Sequence, residues 1–480
     1  MESPHTMSEK IFATLLTRGI YSSSGTLISR VSASLAGIVI ARALGPGTFG
    51  IYAAVMALIE FAGAFTRLGM VTGFKREGSR SPEALSFLFG NVLIVQLVLG
   101  LMSIGIALVG LPLVSKNPSA LKVFPPVALV ILSTHMAEPF LALMQIRGEQ
   151  RLASFYISGR GLAFLAGTTF LASLGFDMIA LAWYHGICYM VATLLMAFST
   201  VTGESVTLRL AYLRTQIKGA LPFGLSSALN TALGNLPVLC LSHFFPEESV
   251  GLFAVASRFV TISVLMGGVA SAEAFVPALF NLFQADPRRF PQVCSWMQRV
   301  YIPMGIFVSS ALYACSEALI VVIQGEKYRG AVSLLKILCW SVFFSYGGIA
   351  ADGALTAGDR MRVKIAAQVC TTLAVALLSF SLVGRYGELG ASVVAVLGTF
   401  MFSSLMVLYA FRKNLYSFSG LGGTSIPMAV TMLAAILTTQ LMPSKYIVAA
   451  VLFFASSIMV WYPFLRPRIL QLRSENEKLP

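Results

Sequence analysis

SRVSASLAGIVIARALGPGTFGIY, residues 29–52, joins two stretches that read as membrane helices. From Val31 to Leu44 every residue except Arg42 is apolar or small, and Gly45-Pro46-Gly47 then breaks the run. Glycine and proline in this order end a helix and turn the chain. Arg42 therefore stands at a helix terminus, where its charge can reach a water interface. Arg30 lies about three turns earlier, among Val31, Leu35, Ile38 and Val39. A cation at the centre of a bilayer helix costs roughly 2.5–3.5 kcal/mol on insertion scales, so such a residue faces a bundle interior or an aqueous cavity, paired or functional.

The rest of the chain has the same character. Of 480 residues, 57% are hydrophobic and 11% charged, and the mean hydropathy is +0.81. A soluble protein carries about 25% charged residues. The apolar residues come in runs long enough for a hydrocarbon core about 30 Å thick, which takes roughly 20 residues per helix. The fold class is thus all-α, a polytopic membrane protein. Breaks at glycine, proline and charge clusters divide it into fourteen spans: 16–43, 50–72, 84–112, 122–146, 152–175, 177–201, 219–244, 250–283, 292–323, 330–356, 362–383, 388–411, 424–441 and 445–464. Lysines and arginines concentrate about threefold on alternate loops and both tails, as the positive-inside rule requires of an even count with both termini cytoplasmic. The net charge of +14 is then a basic rim facing anionic lipid, and nucleic acid is not expected as a partner. Six scattered cysteines form no CxxC pair, so no disulfide framework or metal site is indicated. No cleavable leader is evident.

The chain echoes itself. PGTFGIYAA (46–54) resembles PEESVGLFAV (246–255), aligning Gly50 with Gly251, and QIRGEQR (145–151) resembles TAGDRMR (356–362). The offsets agree with two six-helix lobes of the same orientation, 1–201 and 219–411. A basic amphipathic linker, 202–218, joins them, and 412–480 adds two helices and a basic tail. Two parallel bundles of this kind suit alternating access around a site between them.

Five cations lie inside spans: Arg30, Arg67, Arg160, Arg258 and Lys336. Arg67 and Lys336 stand near enough to span ends to extend to the interface. Two readings of the others remain open at this level. Glu60, Glu138, Glu273, Glu317 and Asp352 could neutralise them in structural ion pairs, Lys336 with Glu317 among these. Alternatively Arg30, Arg160 and Arg258 line a cationic cavity, assisted by Arg67, whose planar guanidinium forks suit a diphosphate or carboxylate. The second reading implies an anionic substrate with an apolar tail. His135 and Glu138 stand three apart on one helix face, a spacing that serves a proton relay or a plain hydrogen bond. No phosphate loop, HExxH, GxSxG or Cys/His cluster is present, so neither an enzyme nor a cofactor is expected.

Four stretches carry a family resemblance: IARALGPGTFGIYAAVMALIEFAGAFTRLGM (40–70), VGLFAVASRF (250–259), IQGEKYRGAVSLLKIL (323–338) and LTAGDRMRVK (355–364). Together they resemble the polysaccharide-unit flippases of the multidrug/oligosaccharidyl-lipid/polysaccharide exporter superfamily. The resemblance implies two lobes around a central cationic cavity and a place in the bacterial inner membrane. It implies transfer of undecaprenyl-diphosphate-linked oligosaccharide between leaflets for O-antigen, capsule or exopolysaccharide synthesis, with membrane lipids and polysaccharide polymerases as partners. Arg30 and Arg258 match functional arginines of the related lipid II flippases, whereas a third such position is Ala36 here, so peptidoglycan precursor is not the first choice of cargo. The alternative within the superfamily is a cation-coupled multidrug antiporter, which would line its lobe with carboxylates.

Overall fold

The computed structural model describes residues 4–67, 69–201, 213–270, 276–358, 360–416, 430–437 and 440, and among them it is helical without strands. In the first half α1 (Pro4–Leu44) and α2 (Pro46–Thr66) are followed by a short α3 (Met70–Gly78). Four long helices complete it: α4 (Leu85–Val114), α5 (Pro118–Ile146), α6 (Gln150–Ser173) and α7 (Met178–Val201). The second half runs in the same order of lengths. Long α8 (Leu213–Phe244) and α9 (Glu247–Ala270) precede short α10 (Val276–Ala285). Then come α11 (Phe290–Ala318), α12 (Ala331–Ala357), α13 (Met361–Leu378) and α14 (Gly384–Arg412).

The local chemistry explains the boundaries. Gly45, at φ 78°, ends α1, and Pro46 opens α2 where its missing N–H would be unpaired anyway. Glu247 and Glu248 sit in the first turn of α9, against the positive end of the helix dipole. The last turns of the ninth and eleventh spans widen into π-helix, at Leu319–Gln324 and Ser379–Val383. Gly387, at φ 57° and ψ −133°, separates the latter from the body of α14.

Two expected spans prove shorter than drawn. The second, 50–72, stops at Thr66, because Gly69 adopts a left-handed conformation and α3 starts afresh. That short helix buries Met70 and Phe74 and exposes Lys75 and Arg76, the pattern of a helix lying at an interface. The eighth, 250–283, is α9 and α10, with 271–275 between them outside the described residues. Most of the two C-terminal spans and of the 202–218 linker also lies outside the described residues.

Nine helical stretches among the described residues are long and apolar enough to cross a bilayer, the last of them, Met361–Arg412, holding both α13 and α14. Large apolar side chains cover the outside: Val109 is 81% exposed, Phe198 79% and Leu377 74%. In water such a surface would aggregate, whereas in lipid it is the expected exterior. The protein is a multi-pass membrane protein. Neither α6 nor α8 is among the nine stretches. α6 packs along α1, and α8 turns amide and hydroxyl groups towards the interior.

The two halves touch at both ends of the bundle. Where α1 gives way to α2, the start of α2 crosses the start of α9. A Cβ on Gly50 would fall 1.8 Å from the Glu247 carbonyl oxygen, and one on Gly251 2.0 Å from that of Pro46, an approach only glycine allows. The two glycines aligned by the sequence echo are thus the contact itself. Beside them Arg42 Nη1 donates to the carbonyls of Ile323 (2.7 Å) and Val322 (3.2 Å), which the end of the π-helical turn leaves available. Tyr328 Oη donates to the Ala41 carbonyl at 2.7 Å. At the opposite end the α2–α3 turn packs on α8 around Ala220 and Gly224.

Candidate functional site: a cavity between the halves

Between these contacts lies a cavity of about 1010 Å³. Helical periodicity builds its walls. On α1, Arg30, Ser34 and Gly37 recur at intervals of three to four, and on α9 Ala254, Arg258 and Thr261 do the same. The first half brings Arg30, Glu60 and Arg67 to the lining, and the second half brings Arg258 and Asp352.

The cations differ in what they touch. Arg30 is exposed to the cavity, and among the described residues it forms no ion pair. Arg258 reaches across to the first half and lies against Gly37, where a Cβ would sit 1.9 Å from its Nη1. Its Cζ is 5.4 Å from the centroid of the Phe49 ring, within cation–π range. Among the described residues it too forms no ion pair. The fields of both Arg67 and Arg258 act on the Glu60 carboxylate, which lines the same space.

Arg67 is different. Its Nε lies 3.6 Å from Glu138 Oε1, and both side chains are about 30% exposed. Asp352 lines the cavity with its Oδ1 2.5 Å from Lys364 Nζ. Arg160 is set back from the lining, with Cζ 4.5 Å above the ring of Tyr189, which does line it. Glu273 lies outside the described residues.

His135 and Glu138 are engaged separately. His135 is fully buried, with Nδ1 3.0 Å from the Ile131 carbonyl and Nε2 3.4 Å from Thr66 Oγ1, while Glu138 turns to Arg67. The suggested pairing of Lys336 with Glu317 is not formed. Glu317 accepts from Arg329 at 3.0 Å, and Lys336 Nζ lies 5.6 Å from the Tyr313 ring centroid. The π-helical end of α11 and the following tight turn bring Arg329 back over Glu317, which plain helix spacing could not foresee.

Sequence reasoning missed a cluster on the first-half wall, where Tyr52, Phe164, His185 and Tyr189 all line the cavity. Tyr52 Oη and His185 Nδ1 are 2.6 Å apart, Phe164 stacks on His185 at 4.0 Å, and Tyr189 meets its edge at 4.6 Å. The available signal was spacing: Arg160 and Phe164, and likewise His185 and Tyr189, are four residues apart on their helices. Among the described residues no group of three His, Cys, Asp or Glu side chains is placed to hold a metal.

A family model described as "Polysaccharide biosynthesis protein" matches residues 39–333, well over half of the chain. Among curated proteins, the Staphylococcus aureus capsular polysaccharide biosynthesis protein CapF is 24% identical over 201 residues. That match covers 41% of this chain and 49% of CapF, so the chain spans about half the length of this relative. Among solved structures, the lipid II flippase MurJ in an inward closed conformation superposes with a TM-score of 0.76 at 12% identity, over 94% of this chain and all of that one. An inward-facing multidrug resistance MATE family transporter of the MOP superfamily gives 0.66 at 15%, over 83% of this chain and 100% of its own. At these identities the two structures speak to the fold. The chain belongs to the polysaccharide biosynthesis protein family, and its helical fold is similar to those of the MurJ and MATE family structures.

Proposed function

We propose that the protein is a flippase that carries undecaprenyl-diphosphate-linked oligosaccharide across the bacterial inner membrane by alternating access. In this reading the lobes are 1–201 and 219–411, the linker 202–218 and the tail 412–480, with both termini cytoplasmic. The observation that carries it is the cavity between the halves, lined by Arg30 of the first half and Arg258 of the second, neither of them in an ion pair among the described residues. Two planar cations without protein partners suit a diphosphate, which offers acceptors only. Arg67 and Arg160 would assist from the rim and from behind Tyr189. Glu60, His135, Glu138 and Asp352 would balance charge or couple protons, as would Glu273. A multidrug cation would find three arginines on the lining against two carboxylates, one of them already paired with Lys364. Polysaccharide polymerases would take the delivered units.

The test is surface glycan in a deletion strain carrying wild type, Arg30→Ala or Arg258→Ala at matched membrane levels. The expected result is loss of surface polymer with lipid-linked units accumulating inside. Normal polymer in the deletion strain itself would overturn the function. Normal polymer in both variants would overturn the site.

A further inference from the structure

The first helix of each half ends on a basic residue. Arg42 stands in the last turn of α1 and His243 in the last turn of α8, as far apart in the chain as Gly50 and Gly251. Both side chains cross to the other half. Arg42 Nη1 reaches the carbonyls of Val322 and Ile323 at the end of the ninth span. His243 Nδ1 lies 2.6 Å from the carbonyl of Leu113, in the last turn of α4. A carbonyl only accepts, so Nδ1 carries the hydrogen and donates. The ends of α4 and of the ninth span hold equivalent places in the order of the two halves. The arrangement is therefore reciprocal: the first helix of each half holds the end of the other half's third span.

Carbonyls in the last turn of a helix have no partner within it, and the macrodipole makes that end negative. Each contact thus brings two negative helix ends together, and the basic side chain offsets their repulsion. The two contacts differ in strength. Arg42 is a permanent cation on two carbonyls, at 2.7 and 3.2 Å, and Tyr328 Oη adds its bond to the Ala41 carbonyl. The His243 contact is one bond from an imidazole. Both adjoin the glycine crossing, since Pro46 follows Arg42, and Glu247 follows His243, by four residues.

We propose that Arg42 and His243 form a paired clasp that shuts the cavity at this end, and that both must release their carbonyls before the halves part there. The inference rests on the alternating-access reading above, in which cytoplasmic termini make this the outer end.

The experiment uses the full-length protein with its six cysteines replaced by alanine and a reporter, Val238→Cys, on the cavity lining of α8. A membrane-impermeant maleimide is applied to spheroplasts, which expose the outer face, and to inverted vesicles, which expose the inner one. Arg42→Ala is expected to raise the outside labelling rate by about tenfold or more, and His243→Ala by about threefold, because a charged hydrogen bond outweighs a neutral one. His243→Asn, whose amide can donate in place of Nδ1, is expected to label as the parent does, which loss of a merely space-filling ring would not explain. The two His243 variants leave Arg42 in place, so they read the clasp even if Arg42→Ala fails to fold. Outside labelling unchanged in both alanine variants, or raised only from the inner face, overturns the clasp and leaves the flippase reading to its own test by surface glycan. Raised outside labelling together with normal polymer in the deletion strain supports the clasp and overturns the flippase reading.

Discussion

Arg67 and Arg258 are both arginines on the same cavity, yet they sit in opposite situations. Arg67 has a carboxylate 3.6 Å away, on the neighbouring α5 of its own half. Arg258 crosses from α9 to the other half and rests on the bare face of Gly37 and the ring of Phe49, and among the described residues no carboxylate lies within ion-pair distance of it. A paired charge in a membrane bundle ties two helices together and is complete in itself. A charge held by glycine and an aromatic ring is positioned and still lacks an anion. The comparison sorts buried charges into framework and site by what they touch, and depth in the membrane does not enter.

The largest effect expected from breaking this distinction is charge reversal of the open cation. Arg258→Glu should weaken binding of undecaprenyl diphosphate by about a hundredfold or more, since losing a desolvated charge contact costs about 2–5 kcal/mol and each 1.4 kcal/mol is tenfold. Equilibrium binding in nanodiscs checks it. Next is Gly37→Val, which leaves every arginine in place but fills the space of the Arg258 guanidinium, a Cβ there lying 1.9 Å from Nη1. With Arg258 forced off its position, affinity should fall by about tenfold at unchanged expression, because overpacking displaces the side chain at a cost of about 1–3 kcal/mol.

Arg67→Ala should move a different observable. Its pair with Glu138 is mostly sheltered, so its loss should lower unfolding stability by about 1–2 kcal/mol, read as a drop in melting temperature in detergent. Smallest is the exposed cluster at the start of α12. There Arg329, 2.7 Å from Glu326, holds that carboxyl below its usual range. A lowered carboxyl contributes stability at neutral pH and loses it as the pH falls through its lowered value. Glu326→Gln should therefore lower the melting temperature slightly at pH 7 and flatten its decline below about pH 4.

The long helices could be read from the chain because lipid demands continuous apolar runs, and the breaks at Gly45 and Gly387 are marked by residues that suit positive φ. Arg30 and Arg258 stood out for the same reason, since a cation in such a run calls for an explanation. Gly37 did not stand out. Its role depends on a side chain from the other half, and a lone glycine in a membrane helix gives no hint of its partner. The end of α2 was overrun because the residues after it remain partly apolar and only the backbone at Gly69 reveals the break. The partner of Glu317 is not legible in the sequence, because the chain widens into π-helix after it and folds back to bring Arg329, and not Lys336, to its carboxylate.

The most direct test compares transbilayer movement of a fluorescent undecaprenyl-diphosphate-linked oligosaccharide in proteoliposomes holding wild type, Arg30→Ala, Arg258→Ala or Arg67→Ala. The account predicts that the first two variants lose movement while keeping the wild-type melting temperature, and that Arg67→Ala melts earlier and loses less movement than either of them. Movement at wild-type rates in both Arg30→Ala and Arg258→Ala would contradict it.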